Sequence, residues 1–173
     1  MESEGGITRK LRIGGVSKLE LLSRLSAKQV KLNDFAQTLF ASDFFNPIES
    51  EIEIITVEVS VMKIGFPDGA TFPAIAQRAE SLGLLLAPIE VGPHLRIEYT
   101  TQVEGKFGYT ETSHRAPPNS VTIASSPLSE DDSVPKGFYL RRIDGELWLR
   151  GYVSSLDHVW SPEDRLILSL IHI

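Results

Sequence analysis

The sequence predicts an α+β fold: a mainly antiparallel sheet with one mid-chain helix and a helical N-terminal segment. Three observations carry this expectation. Apolar residues recur at helical spacing between Ser17 and Phe45. Ile55, Val57, Val59 and Val61 alternate with polar residues at the period of a strand. Phe138 to Ile143 and Glu146 to Tyr152 flank Asp144-Gly145, a pair suited to the φ > 0 positions of a type I′ hairpin turn.

Taken in order, residues 1–16 read as a flexible arm. Ser17 and Glu20 match a capping box, and Leu19, Leu22 and Leu25 follow at helical spacing. Asn33 caps a second helix with Phe35, Leu39 and Phe40 on one face, and Asn46-Pro47 ends it. The segment 17–46 is thus a helical pair packed on an α+β core of 50–173, in one compact domain. Glu51 to Met62 is a strand whose Glu58 and Ser60 face away from the core. Ile52 and Ile54 fall out of phase with its later valines, which predicts a bulge near Ile54-Ile55. Pro67-Asp68-Gly69 is a turn. Thr71 caps the mid-chain helix, with Pro73 in its first turn and Gly83 as its left-handed stop.

Leu84 to Leu86 is apolar enough for a buried strand. Leu95, Ile97 and Tyr99 alternate with Arg96, Glu98 and Thr100, which predicts a half-exposed strand. Residues 102–120 and 125–136 are loop-rich and flank a short strand at Val121 and Ile123. Ser161-Pro162-Glu163-Asp164 reads as a single helical turn before a last strand through Leu166, Leu168 and Leu170.

Composition narrows the function classes. Seventeen Lys and Arg against 23 Asp and Glu give a net charge of −6. A non-specific nucleic-acid binder needs a basic surface to displace phosphate counterions, so the bulk charge argues against one. Arg141, Arg142 and Arg150 are the residues such a binder would use. Cysteine is absent, which removes disulfides, thiolate metal sites and cysteine nucleophiles. No run of about 18 apolar residues exists, and the first residues lack a signal peptide's basic start and apolar core. The expectation is a soluble cytoplasmic protein with no membrane partner.

Several longer phrases stand out: Gly65-Phe-Pro-Asp-Gly-Ala-Thr71, Glu90-Val-Gly-Pro-His-Leu-Arg96, His114-Arg-Ala-Pro-Pro118 and Pro127-Leu-Ser-Glu-Asp-Asp132. Pro135 to Gly145, Leu147-Trp-Leu-Arg-Gly-Tyr152 and His158-Val-Trp-Ser-Pro-Glu-Asp-Arg165 join them. Together they resemble a family of small uncharacterised bacterial proteins, over roughly residues 17 to 168. The resemblance implies a bacterial origin and no defined activity. Members are sometimes labelled helicase, but this chain lacks a phosphate loop: the Gly105-Lys106 pair is followed by Phe107 and preceded by no glycine at the required spacing.

The residues with chemical potential fall into two groups. His94, Arg96, His114, Arg115 and His158 lie in or beside loops and strand ends. His94 and Glu98, four residues apart on a strand, would stand about 13 Å apart, too far to share a metal. No motif indicates a metal, a cofactor, a serine elbow or a dinucleotide site. The second group is the hairpin face of Trp148, Arg150 and Tyr152, which His158 and Trp160 extend. Aromatics interleaved with arginine suit an exposed binding face. The same residues suit a buried layer under the helical pair, with Arg150 held by an acidic partner. Two functions follow. One is a non-enzymatic partner-binding or regulatory module, its partner another protein. The alternative is a small ligand-binding or hydrolytic domain whose cleft gathers His94, His114, Arg115, His158 and Asp164.

Overall fold

The computed structural model describes residues 6–105, 117 and 119–170. The elements run β1 (Ile7–Ile13), α1 (Lys18–Ala27), β2 (Lys31–Leu32), α2 (Asp34–Ala41), β3 (Ile52–Ser60), α3 (Val61–Ile64), β4 (Ala70–Thr71) and α4 (Phe72–Ser81). They continue with β5 (Leu84–Leu86), α5 (Val91–Glu98), β6 (Val121–Ile123), β7 (Gly137–Ile143), β8 (Glu146–Tyr152), β9 (Val159–Trp160) and β10 (Arg165–Leu170). The main sheet has the order β1-β3-β10-β6-β7-β8-β2, with β5 also paired to β10. Its pairs are antiparallel except β6–β10 and β2–β8. A separate small ribbon joins β4 to β9.

The two faces of the sheet carry separate cores. On the first, α1, α2 and α5 cover Leu11, Ile54, Ile123, Leu140, Leu149 and Ile167. Phe40, Phe45 and Phe138 meet there with ring centroids 5.4 to 6.1 Å apart. On the second, Val57, Val59, Leu166 and Leu168 pack with Ile75, Ala79 and Trp160. Burial of each such side chain contributes about 1.5–3 kcal/mol before entropy is counted.

Local chemistry sets the helix starts. Ser17 Oγ accepts from the Glu20 N–H at 3.1 Å. Glu20's own carboxylate takes Arg24 at 3.1 Å, one turn along. Asn33 Oδ1 accepts from the Ala36 N–H at 2.9 Å. The same oxygen accepts from the Gly151 N–H at 2.8 Å, so one side chain both caps α2 and ties it to β8. Close approach requires glycine there, because a Cβ at 151 would stand 2.7 Å from the Phe35 carbonyl carbon. The hairpin turns at Asp144 (φ 52°) and Gly145 (φ 77°), as the sequence predicts.

Five expectations are corrected. Ile7–Ile13 is no flexible arm but an edge strand, paired along its length with β3, and Leu11 and Ile13 are buried. β3 has no bulge in this pairing: Ile54 serves the first core and Val57 and Val59 the second, so its change of phase marks a strand covered on both sides. Glu58 consequently faces inward. It is 4% exposed and meets both Arg9 and Arg165 at 2.7 Å. The predicted strand at 95–99 is α5, and the mid-chain region holds three helices, α3, α4 and α5. Residues Val91 to Arg96 are all buried, so α5 shows no polar stripe by which a helical period could be recognised. Pro93 sits in its first turn, where a missing N–H costs little.

Candidate functional site

The helical pair covers the hairpin face that carries Leu149 and Gly151. It does not cover the Trp148, Arg150 and Tyr152 face, so the expectation of a layer buried under these helices is corrected. That opposite face is half-buried. Tyr139 stands directly across from Arg150 in the β7–β8 register. Arg150 Nε donates to Tyr139 Oη at 2.7 Å, where an acidic partner was expected. The Arg150 guanidinium also lies 5.0 Å from the Trp148 ring centroid, a cation–π distance. Tyr139 meets Tyr152 at 6.4 Å, and Tyr152 meets Trp160 edge-on at 5.7 Å. His158 lies 5.4 Å from Trp160. A band of rings with the Arg150 guanidinium among them thus runs from the β7–β8 hairpin to Trp160 and His158.

The band ends at a cleft of about 250 Å³ between the 125–136 loop and the chain after β8. Phe72, Tyr152 and Trp160 supply its aromatic surface, and Ser125, Glu130 and Asp132 are among its polar lining. Burial pushes the Tyr152 phenol up, so it stays neutral and able to donate. Lys136 is spent on structure: its Nζ donates to the Ser129 and Asp131 carbonyls at 2.7 Å each. Asp131 itself is exposed and accepts from the Ser133 N–H and hydroxyl, which holds its carboxyl below the ordinary value.

The remaining candidates do not join this cleft. Arg96 is wholly buried in α5. Its guanidinium donates to Gln102 Oε1 at 2.6 Å and to the carbonyls of Tyr99, Arg141 and Trp148. Desolvation lowers its pKa to about 10. It is a structural tie between α5 and the hairpin. His94 is also buried, with Nε2 3.6 Å from Glu90 Oε2, while Glu90 Oε1 accepts from the Ile48 N–H at 2.8 Å. Because 94 and 98 lie on a helix, the 13 Å separation expected of a strand does not apply, and Glu90 is the neighbour His94 has. Asp164 closes the turn before β10 by accepting from the Ser161 N–H at 2.9 Å. His114 and Arg115 lie outside the described residues. Among the described residues, no group of three or more His, Asp or Glu is placed to hold a metal ion. No described helix is long and apolar enough to cross a membrane.

Sequence reasoning misses Tyr139, Phe72 and Ser125. Tyr139 was reachable, since counting back from the Asp144-Gly145 turn pairs it with Arg150. Ser125 and Phe72 reach the cleft from distant elements, and no local signal marks them. Comparison of the chain with protein-family models, with curated proteins and with solved structures finds no match.

Proposed function

We propose that this protein is a non-enzymatic partner-binding module, and that its partner, another protein, docks along the Trp148–Arg150–Tyr139 band and into the adjoining cleft. The observation that carries this reading is the band itself. Aromatic rings and an arginine, interlocked at 2.7 Å and 5.0 Å, remain half-buried on one half of the sheet. Such rings present flat contact area at low entropy cost, and arginine adds directional hydrogen bonds. Exposed Leu156 lines the cleft, and exposed Val153 and Val159 adjoin its Tyr152 and Trp160 in the chain, which adds apolar area of the kind a macromolecular contact uses. A net charge of −6 favours a basic partner.

The hydrolytic alternative rests on a histidine-lined cleft. His94 lies in the first core's helix layer, away from the cleft, and the cleft's polar lining holds serines and carboxylates instead. The test is a nuclease-treated capture experiment that compares the wild-type chain with a Trp148→Ala/Arg150→Ala variant. The expected outcome is a stoichiometric protein retained by the wild type and weakened at least about tenfold by the variant, the effect of losing one or two hot-spot residues. Equal retention by both would refute the reading.

A further inference from the structure

Two residues that line the cleft each carry a buried polar atom without a partner among the described residues. Ser125 is 1% exposed and Trp160 is 5% exposed, and both line the cavity. Neither Ser125 Oγ nor Trp160 Nε1 makes a hydrogen bond within the described residues. An unmade bond at a buried polar atom is unfavourable, so two beside one cavity point to a ligand that completes them. Gly137 keeps this corner open. A Cβ there would stand 3.0 Å from Ser125 Oγ and 3.5 Å from Tyr152 Oη.

The chemistry of the lining restricts the occupant. The indole N–H is a donor only, so the buried end of the ligand must carry an acceptor. A lysine or arginine tip brings donors alone and fails. A carboxylate or phosphate meets Glu130 and Asp132, whose like charge opposes it, and the one lysine in the lining, Lys136, already donates to the Ser129 and Asp131 carbonyls. A sugar ring carries several hydroxyls into a mostly apolar cavity that offers two unpartnered buried atoms. A phenylalanine ring suits the aromatic surface but leaves both atoms unpaired. A phenol meets every condition. Its ring packs on Phe72, Tyr152 and Trp160, its oxygen accepts from Trp160 Nε1, and its O–H donates to Ser125 Oγ.

Resting on the partner-binding reading above, we propose that the cleft is a receptor for a tyrosine side chain presented by the partner. A cavity of about 250 Å³ has room for one such ring. Leu156, 61% exposed at the cavity wall, and Val159, 53% exposed and next to Trp160 in the chain, favour a peptide segment over a free phenol. They offer apolar area that only the residues flanking the tyrosine can cover.

The test follows the Trp160 indole N–H by NMR during titration, with Trp148→Phe to assign it. The probes are N-acetyl-tyrosinamide, N-acetyl-phenylalaninamide, N-acetyl-lysinamide, methyl glucoside, p-cresol and the capped peptide Leu-Tyr-Leu. The expected result is a saturable shift with the tyrosine probe and binding about tenfold or more weaker with the phenylalanine probe, because the missing hydroxyl leaves buried groups unpaired. Ser125→Ala should shrink that discrimination, and the capped peptide should bind more tightly than p-cresol. Equal binding of the phenylalanine probe, a shift with the lysine or sugar probe alone, or no shift with any probe overturns the proposal. p-Cresol binding as tightly as the peptide overturns the assignment to a partner segment. A partner captured through Arg150 with no tyrosine response sinks the cleft proposal alone. A tyrosine response without a captured partner sinks the partner-binding reading alone.

Discussion

The two faces of the sheet solve burial differently. On the first, Arg96 and Asn33 are bound to backbone groups, although Arg96 Nε, Glu90 Oε2 and His94 Nε2 make no hydrogen bond among the described residues. Arg96 is ringed by backbone carbonyls and Gln102. Asn33 both caps a helix and holds a strand. On the second, α3 and α4 seal only the part over β3 and β10, and the β7–β8 part keeps a half-buried aromatic band and an incompletely satisfied cleft. The contrast separates polar residues bonded into the fold from those at the half-buried band and cleft, for which we propose a binding role. Arg96 and Arg150 look alike in the sequence, yet Arg96 is buried among carbonyls while Arg150 bonds Tyr139 on a half-buried face.

That contrast can be broken by substitution. Arg96→Met should produce the largest loss of stability, about 3–5 kcal/mol, since it strips the buried carbonyls of their donor. Urea unfolding would measure it, and a change below about 1 kcal/mol would erase the distinction between the faces. Gly151→Ala comes next. Its Cβ would lie 2.7 and 2.8 Å from the backbone of Phe35 and Ala36, and the expected cost is about 1–3 kcal/mol in the same assay.

The third effect is one of pH. Burial raises the Tyr152 phenol, so the folded chain holds this proton more tightly than the unfolded chain does. The stability tied to it is complete below the ordinary phenol value of 10.0 and is lost as pH climbs above it. Unfolding free energy measured across that range should fall with pH, and Tyr152→Phe should flatten the slope. A wild-type slope unchanged in the variant would place the titration elsewhere. Arg150→Ala should have the smallest effect on folding, about 0.5 kcal/mol or less, as expected of a residue whose bonds are made at a half-open surface. Its effect should fall on partner retention instead, and a large stability loss would move Arg150 into the structural group.

Much of the local structure was legible because short-range chemistry decides it. The caps at Ser17 and Asn33, the Gly83 helix stop (φ 82°) and the Asp144-Gly145 turn each depend on a few neighbouring residues. The hairpin register follows from its turn, and with it the sharing of one face by Trp148, Arg150 and Tyr152. Periodicity failed where burial was two-sided. Residues 91–96 of α5 are buried all round, so that helix shows no polar stripe; β3 alternates as a strand, but Thr56 to Val59 are buried on both sides, so its alternation does not tell core from solvent.

By itself, then, the sequence determined the α+β class, the helix boundaries set by caps and the alternation of the β7–β8 hairpin, because these are encoded in spacing and turn chemistry. Only the tertiary structure decided which side of that hairpin the helices would cover. It alone made Arg96 an internal tie and gathered Phe72, Ser125, Tyr152 and Trp160 around one cleft. Those outcomes depend on contacts between residues far apart in the chain, and no local pattern specifies which distant surface will arrive to bury a given face.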